Sequence, residues 1–305
     1  MPIYQRDRIY SLIVGKDDDA VEINNLQIKF EVTKTSNNKD KKNLASIKIY
    51  NLSEDRRRKL EEDYIQVAFS VGYAESELIT LFTGQVTNIY TTKLDTFLTK
   101  RQGTDLVTTL ELDELYKEVN NTALSSIVPS GKTVRDVILN TIKDIPEITR
   151  QEMSGEGINT HLPNGYPVSG TPRQVLDKLS HDYDIEWQID NGVLYVSDVG
   201  GTFSEDKASV FSFGQFSGLI DRPEYINEEA KRLRRAAKGK RPKKLVKKNS
   251  VKFKVLLNPS VIAGSIVHLD FEPYTGYYKV DEVVHSGEFR SDEWYSELIC
   301  TEKLD

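Results

Sequence analysis

The sequence predicts a mainly β fold with a small α/β segment in its middle. Runs in which apolar and polar residues alternate occupy both ends of the chain, and that period is typical of strands with one face on a core. Helix-start signals are concentrated between residues 130 and 200. The chain has 305 residues, of which 29% are charged. This length and composition favour two small, thin domains, or a subunit of an assembly, over one large globule.

The strand predictions follow from the alternation. In residues 65–73 every odd position is apolar and every even position is small or polar. We therefore expect a half-buried antiparallel strand there. The same argument predicts strands at residues 28–32, 47–50, 106–112, 251–255, 278–280 and 295–300.

The middle of the chain predicts a helix packed on a hairpin. Thr171 is followed by Pro172 and, three residues after the threonine, by Gln174. This is a capping box with proline at the first helical position. Asn191-Gly192 then separates two strand-like runs, 185–189 and 193–196, and Asn-Gly between such runs is a strong hairpin signal.

Two further helix starts can be read from local patterns. Residues 133–138 repeat the Thr-x-Arg-x-Val-aliphatic pattern of residues 171–176 at an offset of 38. Either a helix-start unit has been duplicated or two similar N-caps occur by chance, and the sequence leaves both alternatives open. A short charged helix is predicted from Ser53 through Leu60.

Charge is unevenly distributed. Residues 231–248 hold 11 Lys and Arg and no acidic residue, among them Lys240, Arg241, Lys243 and Lys244. Because the whole chain has a formal net charge of -6, the remaining residues carry -17. We interpret this basic segment as a long loop, and three roles stay open. It contacts nucleic acid, it docks on an acidic partner or a neighbouring copy, or it is a solvated loop.

Patterns that would indicate catalysis or metal binding are weak. The single cysteine, Cys300, excludes an internal disulfide, and four scattered histidines lack metal-binding spacing. Residues 130–133, Ser-Gly-Lys-Thr, resemble the end of a phosphate-binding loop, but Ser126 stands where that loop needs glycine, so a capped helix is favoured. The acidic groups at 17–19 and at Asp182, Asp184 and Glu186 suit solvated positions better than a cation site.

These patterns set the remaining expectations. We expect no catalytic residue, no metal site and no cofactor, and hence no enzyme. No apolar run approaches the roughly 20 residues that span a bilayer. The first residues lack the apolar stretch of a secretory signal. We therefore also expect no membrane insertion.

The order of several segments carries a resemblance to a known family. A strand-like run at 28–33 leads through a polar turn to 43–53, a strand running into a short charged helix. The series continues with 71–73, 81–86, 256–267, 276–280, 285–288 and 294–296. It resembles the baseplate hub proteins of contractile-tailed bacteriophages, also called the phage late control or tail protein D-like family. The resemblance covers roughly 25–225 and 250–305, and the basic segment 231–248 has no counterpart in the family pattern.

The resemblance implies a fold and an architecture. Hub proteins of this family form homotrimers in which each subunit contributes two small antiparallel tube-like β-barrel domains. Six such domains make a pseudo-hexameric ring that matches the six-fold tail tube. The corresponding domains here are 1–118 and 201–305, with 119–200 as a helix-plus-hairpin α/β insert.

The resemblance also implies partners and a location. The chain is expected to bind itself, the tail tube protein and the trimeric central spike protein, with the tape-measure and baseplate wedge proteins as further candidates. DNA passes through the lumen without specific binding. The protein is expected in the virion, in the tail baseplate, after synthesis in the host cytoplasm. The alternatives are a tail-associated cell-wall hydrolase and a nucleic-acid or partner-binding module that uses the basic segment.

Overall fold

A computed structural model of the chain describes residues 7–15, 20–36, 43–60, 65–93, 105–201, 210–226 and 250–303. Strands dominate these residues and helices are few. The prediction of a mainly β fold is therefore confirmed.

The first part of the chain contains seven strands and one short helix. They are β1 (Arg8–Val14), β2 (Val21–Ile23), β3 (Ile28–Thr35), β4 (Leu44–Tyr50), α1 (Glu54–Leu60), β5 (Gln66–Tyr73), β6 (Ile79–Lys93) and β7 (Leu106–Asp113). The strands predicted at 28–32, 47–50, 65–73 and 106–112 and the short helix after Ser53 are confirmed. In β5 the alternation has the expected consequence, because Val67, Phe69 and Val71 are buried.

The middle part contains three α-helices, a 3-10 helix and a small three-stranded sheet. Its elements are α2 (Tyr116–Asn120), β8 (Leu124–Val128), β9 (Lys132–Thr133), α3 (Val134–Ile142), β10 (Arg150–Met153), a 3-10 helix at Gly157–Asn159, β11 (His161–Leu162), β12 (Tyr166–Gly170), α4 (Pro172–Tyr183), β13 (Ile185–Asp190) and β14 (Val193–Asp198). The Thr171 hydroxyl accepts a hydrogen bond from the Gln174 amide, as the capping box predicts. Asn191 and Gly192 both have positive φ, 49° and 78°, which is the geometry of a tight hairpin turn.

The last part contains the strands β15 (Phe211–Gly214), β16 (Glu224–Ile226), β17 (Ser250–Leu256), β18 (Ile266–Asp270), β19 (Gly276–Glu288) and β20 (Trp294–Glu302). The strands predicted at 251–255, 278–280 and 295–300 lie within β17, β19 and β20.

One hydrogen-bonded sheet runs through both ends of the chain. Its strand order is β16-β17-β20-β19-β3-β4-β7-β6-β5-β1-β2, and β15 and β18 branch from β19. Every pairing along this order is antiparallel. The long strand β19 makes the connection: its first half pairs with β18 and its second half with β3.

The sheet curls so that distant strands share a core. The rings of Phe30 on β3 and Phe69 on β5 lie 4.9 Å apart, although three strands separate β3 and β5 in the sheet order. No strand pairing closes the sheet within the described ranges. The barrel part of the fold prediction is therefore not confirmed.

Three hydrophobic cores hold the molecule together. The first core lies mainly under β1 to β7 and also takes Leu257 and Trp294 from the last part of the chain. The insert core is built from residues between Leu115 and Val196. The second core lies under β15 and β17 to β20.

Candidate functional site at the insert junction and the sheet edges

The strand β13 joins the insert to the sheet. Ile185, Trp187 and Ile189 are buried in the insert core. The alternate residues of β13 point the other way, and each contacts the last part or the first part of the chain. These contacts are Glu186 with the Lys279 ammonium at 2.9 Å, Gln188 donating to the Ala263 carbonyl at 2.9 Å, and Asp190 with the Lys34 ammonium at 2.5 Å.

The Lys34–Asp190 ion pair lies in the interior. Both side chains are less than 10% exposed. Glu114, directly after β7, accepts hydrogen bonds from the Gly192 amide at 3.3 Å and from Asn43 at 3.4 Å. Burial first, and the negative charge of Asp190 second, raise the pKa of Glu114 well above its usual range. Glu114 therefore keeps its proton to a higher pH than an exposed glutamate.

Asn43 connects the two sides of this junction. Its side-chain amide donates to the Ile189 carbonyl at 2.6 Å, and its side-chain oxygen accepts from the Thr35 amide at 3.0 Å. The polar groups that face one another here are thus used to hold the insert on the sheet. Beside them lies a cleft of about 280 Å³, counting its solvent-open part, between α2, β13 and the start of α4. The space inside it that a water-sized molecule can occupy is only about 10 Å³, far below the ~300–1,000 Å³ of small-molecule sites.

Two other reactive side chains are buried. His285 on β19 is fully buried, and its Nδ1 lies 2.8 Å from the Ser296 hydroxyl. Burial, and then the nearby charge of Lys34, lower the pKa of His285 to about 3, so the ring is neutral at physiological pH. Burial also raises the pKa of the Cys300 thiol well above its usual value, which makes this thiol unreactive.

The phosphate-loop-like segment is a capped helix start, as the sequence favoured. The Thr133 hydroxyl caps α3, and the Asp136 carboxylate accepts a hydrogen bond from the Thr133 amide at 2.8 Å. Hydrogen bonds from Thr133, the backbone one first, lower the pKa of Asp136. Its charge thus belongs to the helix cap.

The acidic residues of the α4–β13 corner have separate roles. Asp182 contacts His181 at 3.0 Å, Asp184 ends α4 with φ 55°, and Glu186 binds Lys279. Among the residues that the structure describes, no group of three or more His, Cys, Asp or Glu is placed to hold a metal ion. Residues 17–19 lie outside the described ranges.

The candidate contact residues Lys240, Arg241, Lys243 and Lys244 also lie outside the described residues, as does the whole segment 231–248. The structure therefore does not test their predicted role. No helix in the described part of the chain is long and apolar enough to cross a membrane.

Part of β6 and the strand β16 each lack a strand partner on one side among the described residues. β5 pairs with β6 only as far as Gln85, whereas β7 pairs with β6 as far as Lys93. The outer side of residues 87–93 thus has no strand partner among the described residues, and all but Ile89 are exposed. At one end of the strand order the outer side of β16 is likewise unpaired in the described ranges, as is the outer side of β2 at the opposite end.

No family model and no curated protein matches the chain, but solved structures do. The tail protein from Neisseria meningitidis MC58 has a TM-score of 0.61 and 11% identity, and 97% of each chain is covered. The 43 kDa tail protein of prophage MuSo2 from Shewanella oneidensis has a TM-score of 0.63 and 11% identity, also over 97% of each chain. The E. coli c3393 protein, a component of the type VI secretion system with structural similarity to T4 bacteriophage tail proteins gp27 and gp5, has a TM-score of 0.57 and 10% identity over 92% of this chain and 74% of that one. The chain therefore has the fold of these tail proteins over almost its whole length, which confirms the predicted resemblance at the level of the fold.

Proposed function

We propose that the chain is a structural subunit of a phage tail baseplate, namely the hub. The observation that carries this proposal is the likeness of 97% of the chain to two tail proteins of similar length. A likeness over the whole length includes the insert as well as the sheet, so it is more specific than a shared barrel motif.

The hub architecture assigns two tube-like domains to the chain, 1–118 and 201–305, with 119–200 as the insert. Three hydrophobic cores support this division, although the first crosses it by taking Leu257 and Trp294 from the second tube-like domain. The strand β19 joins the sheets of the two tube-like domains through seven residue pairs with β3. The two domains are thereby side by side in one sheet, as neighbouring positions of a ring require.

In the proposed assembly three copies form a pseudo-hexameric ring. One side of the ring binds the tail tube protein and the other binds the central spike protein, with tape-measure and wedge proteins as further partners. The ring lies in the virion baseplate, and DNA passes through its lumen. We propose no catalytic role and no cofactor.

The solvent-facing side of the sheet is the proposed lumen wall. It carries cations paired with carboxylates, such as Lys252 with Glu297 at 2.6 Å and Lys29 with Glu288 at 3.6 Å. Paired charges nearly cancel at the distance of a passing duplex. Such paired lysines do not hold DNA phosphates, and the net charge of -17 outside the basic segment repels them, which suits transit without specific binding.

Purified protein tests the hub proposal directly. Light scattering should give three times the mass of the chain, and electron microscopy should show rings that bind the spike protein on one side. Monomers alone, with and without the spike, would contradict the proposal. Clearance of peptidoglycan that a single Asp or Glu substitution abolishes would instead favour the hydrolase.

The basic segment has a separate proposed role, which is contact with an acidic partner or with nucleic acid through Lys240, Arg241, Lys243 and Lys244. Its 11 cations without an acid support this role. Deletion of residues 231–248 should weaken binding to an acidic partner, or abolish the mobility shift that the full chain gives with DNA. A mobility shift that the deletion leaves unchanged removes the nucleic-acid role.

A further inference from the structure

We propose that Asn164 is a site of spontaneous deamidation in the folded protein, and that the contacts of the insert junction protect the same dipeptide at Asn191. The chain contains two Asn-Gly pairs, Asn164-Gly165 and Asn191-Gly192. Glycine after asparagine leaves the backbone nitrogen open to the asparagine side chain, because glycine has no Cβ. The reactive dipeptide is therefore present twice, and only its surroundings differ.

The proposed reaction is an attack of the main chain on a side chain. The Gly165 amide nitrogen loses its proton and forms a bond to Cγ of Asn164, and the bond between Cγ and the side-chain nitrogen breaks. Ammonia leaves with that proton, and a succinimide ring remains. Water then opens the ring at either of its carbonyl groups. One opening gives aspartate, and the other gives isoaspartate, in which the main chain is one carbon longer.

The surroundings of Asn164 permit this attack. The residue lies in the bend between β11 and β12, where Pro163, Asn164 and Gly165 are all exposed. Within the described ranges, neither the Asn164 side chain nor the Gly165 amide has a hydrogen-bond partner. The nitrogen is therefore free to turn toward Cγ. Water can also solvate the negative charge that develops on the side-chain oxygen as the ring closes.

The surroundings of Asn191 oppose the same attack. The Gly192 amide donates to the Glu114 carboxyl group at 3.3 Å, and the Gly192 carbonyl accepts from the Thr149 amide at 2.9 Å. The Asn191 side chain donates to the Thr80 carbonyl at 3.3 Å. Its side-chain oxygen is buried and has no hydrogen-bond partner among the described residues, so a negative charge on that oxygen would be poorly stabilised. Ring closure here requires the junction to open first.

The two positions differ in what deamidation would change. At Asn191 a new carboxylate would follow Asp190 directly and would lie next to Glu114, inside the buried junction. At Asn164 it falls on an exposed bend, just before Tyr166 begins the pairing of β12 with β8. An isoaspartate would loosen the end of that two-stranded ribbon and add one negative charge. The contacts of β13 with the sheet would remain, so the insert would stay in place.

Incubation of the purified chain at mildly alkaline pH tests the proposal. Peptide mass spectrometry follows the conversion of amide to acid, and an isoaspartyl methyltransferase with a labelled methyl donor detects isoaspartate. Asn164 should react at least about tenfold faster than Asn191, because a protected site reacts only from locally opened states. In denaturant the two sites should react at similar rates. The matched control is Asn164→Gln, which would need a larger ring and should abolish methyl acceptance by the native protein.

Two variants of Glu114 test the protection. Glu114→Ala removes the acceptor of the Gly192 amide and should accelerate the reaction of Asn191 by about tenfold or more. Glu114→Gln keeps a carbonyl oxygen at this position and should leave Asn191 slow. Hydrogen exchange of β20 checks that both variants are folded. Equal rates at Asn164 and Asn191 in the native protein would overturn the proposal, and a folded Glu114→Ala variant with wild-type protection of Asn191 would overturn the protective role of the junction.

Discussion

Replacing Lys34 by methionine is expected to open the junction between the insert and the sheet. The Lys34 side chain is 2% exposed and its ammonium lies 2.5 Å from the Asp190 carboxylate. Without that cation, Asp190 remains as an uncompensated buried charge beside Glu114. Removing one partner of a buried ion pair usually costs about 3–5 kcal/mol.

The cost can be relieved without unfolding either core. Separation of β13 from the sheet would hydrate Asp190, so we expect the junction to open first. The Gly192 amide, which donates to Glu114, and the Thr35 amide, which donates to Asn43, lie at this junction. A destabilisation of 3 kcal/mol corresponds to an acceleration of hydrogen exchange of about 150-fold at such amides.

Hydrogen exchange followed by mass spectrometry measures this effect. Peptides around residues 190–193 should exchange about 100-fold or more faster in Lys34→Met, while peptides of β20 in the second core serve as the internal control. The double variant Lys34→Met/Asp190→Leu should recover most of the protection, because an apolar pair often replaces a buried ion pair without loss. The reasoning fails if the single variant exchanges at the wild-type rate, or if the double variant is as unprotected as the sum of the two single changes.

Three further predictions concern pH and backbone strain. Because the pKa of Glu114 is raised in the folded state, the stability of the fold decreases as the pH rises from about 4.5 through that raised value. In urea titrations over that pH range, the stability of Glu114→Gln should depend less on pH than that of the wild type. The pH dependence due to His285 runs in the opposite direction, because folding lowers its pKa from 6.5 to about 3. Stability therefore falls by up to about 5 kcal/mol as the pH drops from 6.5 to about 3. In the same titrations His285→Gln should remove this loss of stability in acid. Gly192→Ala should lower the free energy of unfolding, measured in urea at neutral pH, by more than Gly131→Ala does. Both glycines have positive φ (78° and 83°), but a Cβ on Gly192 would lie 2.7 Å from the Glu147 carbonyl oxygen, whereas nothing lies within 4 Å of one on Gly131. Equal losses of stability would show that the close contact is relieved.

The sequence predicted correctly those helix caps and turns that depend only on neighbouring residues. The cap at Thr171 and the turn at Asn191-Gly192 depend on neighbouring residues alone, so both are visible in the sequence. The strand β1 was not predicted, because Ile9 and Ile13 alternate with the buried Tyr10, Leu12 and Val14, so apolar residues occur on both faces of the strand. Pairing between β19 and β3 joins residues about 250 positions apart, and such pairing leaves no mark on the local pattern of either strand.

The junction between the insert and the sheet was not predicted for a related reason, although one member of its buried ion pair can be recognised in the sequence. Lys34 follows Ile28, Phe30 and Val32 at the same spacing, so it occupies a core-facing position of the strand. A lysine at such a position requires a buried partner. The partner could not be chosen from the sequence, because the chain contains 47 acidic residues and Asp190 approaches Lys34 only through the tertiary fold.

The polar character of the junction explains how the insert acquires a single orientation. An apolar contact of the same area would tolerate small shifts, whereas Glu186, Gln188 and Asp190 each meet a different partner. Moving β13 by one residue would turn Trp187 toward these polar partners and push the three polar side chains into the insert core. Such a shift breaks two buried ion pairs and exposes an indole at once. The alternation of β13 therefore fixes the register of the insert on the sheet, and a ring built from such subunits would present three inserts in the same orientation.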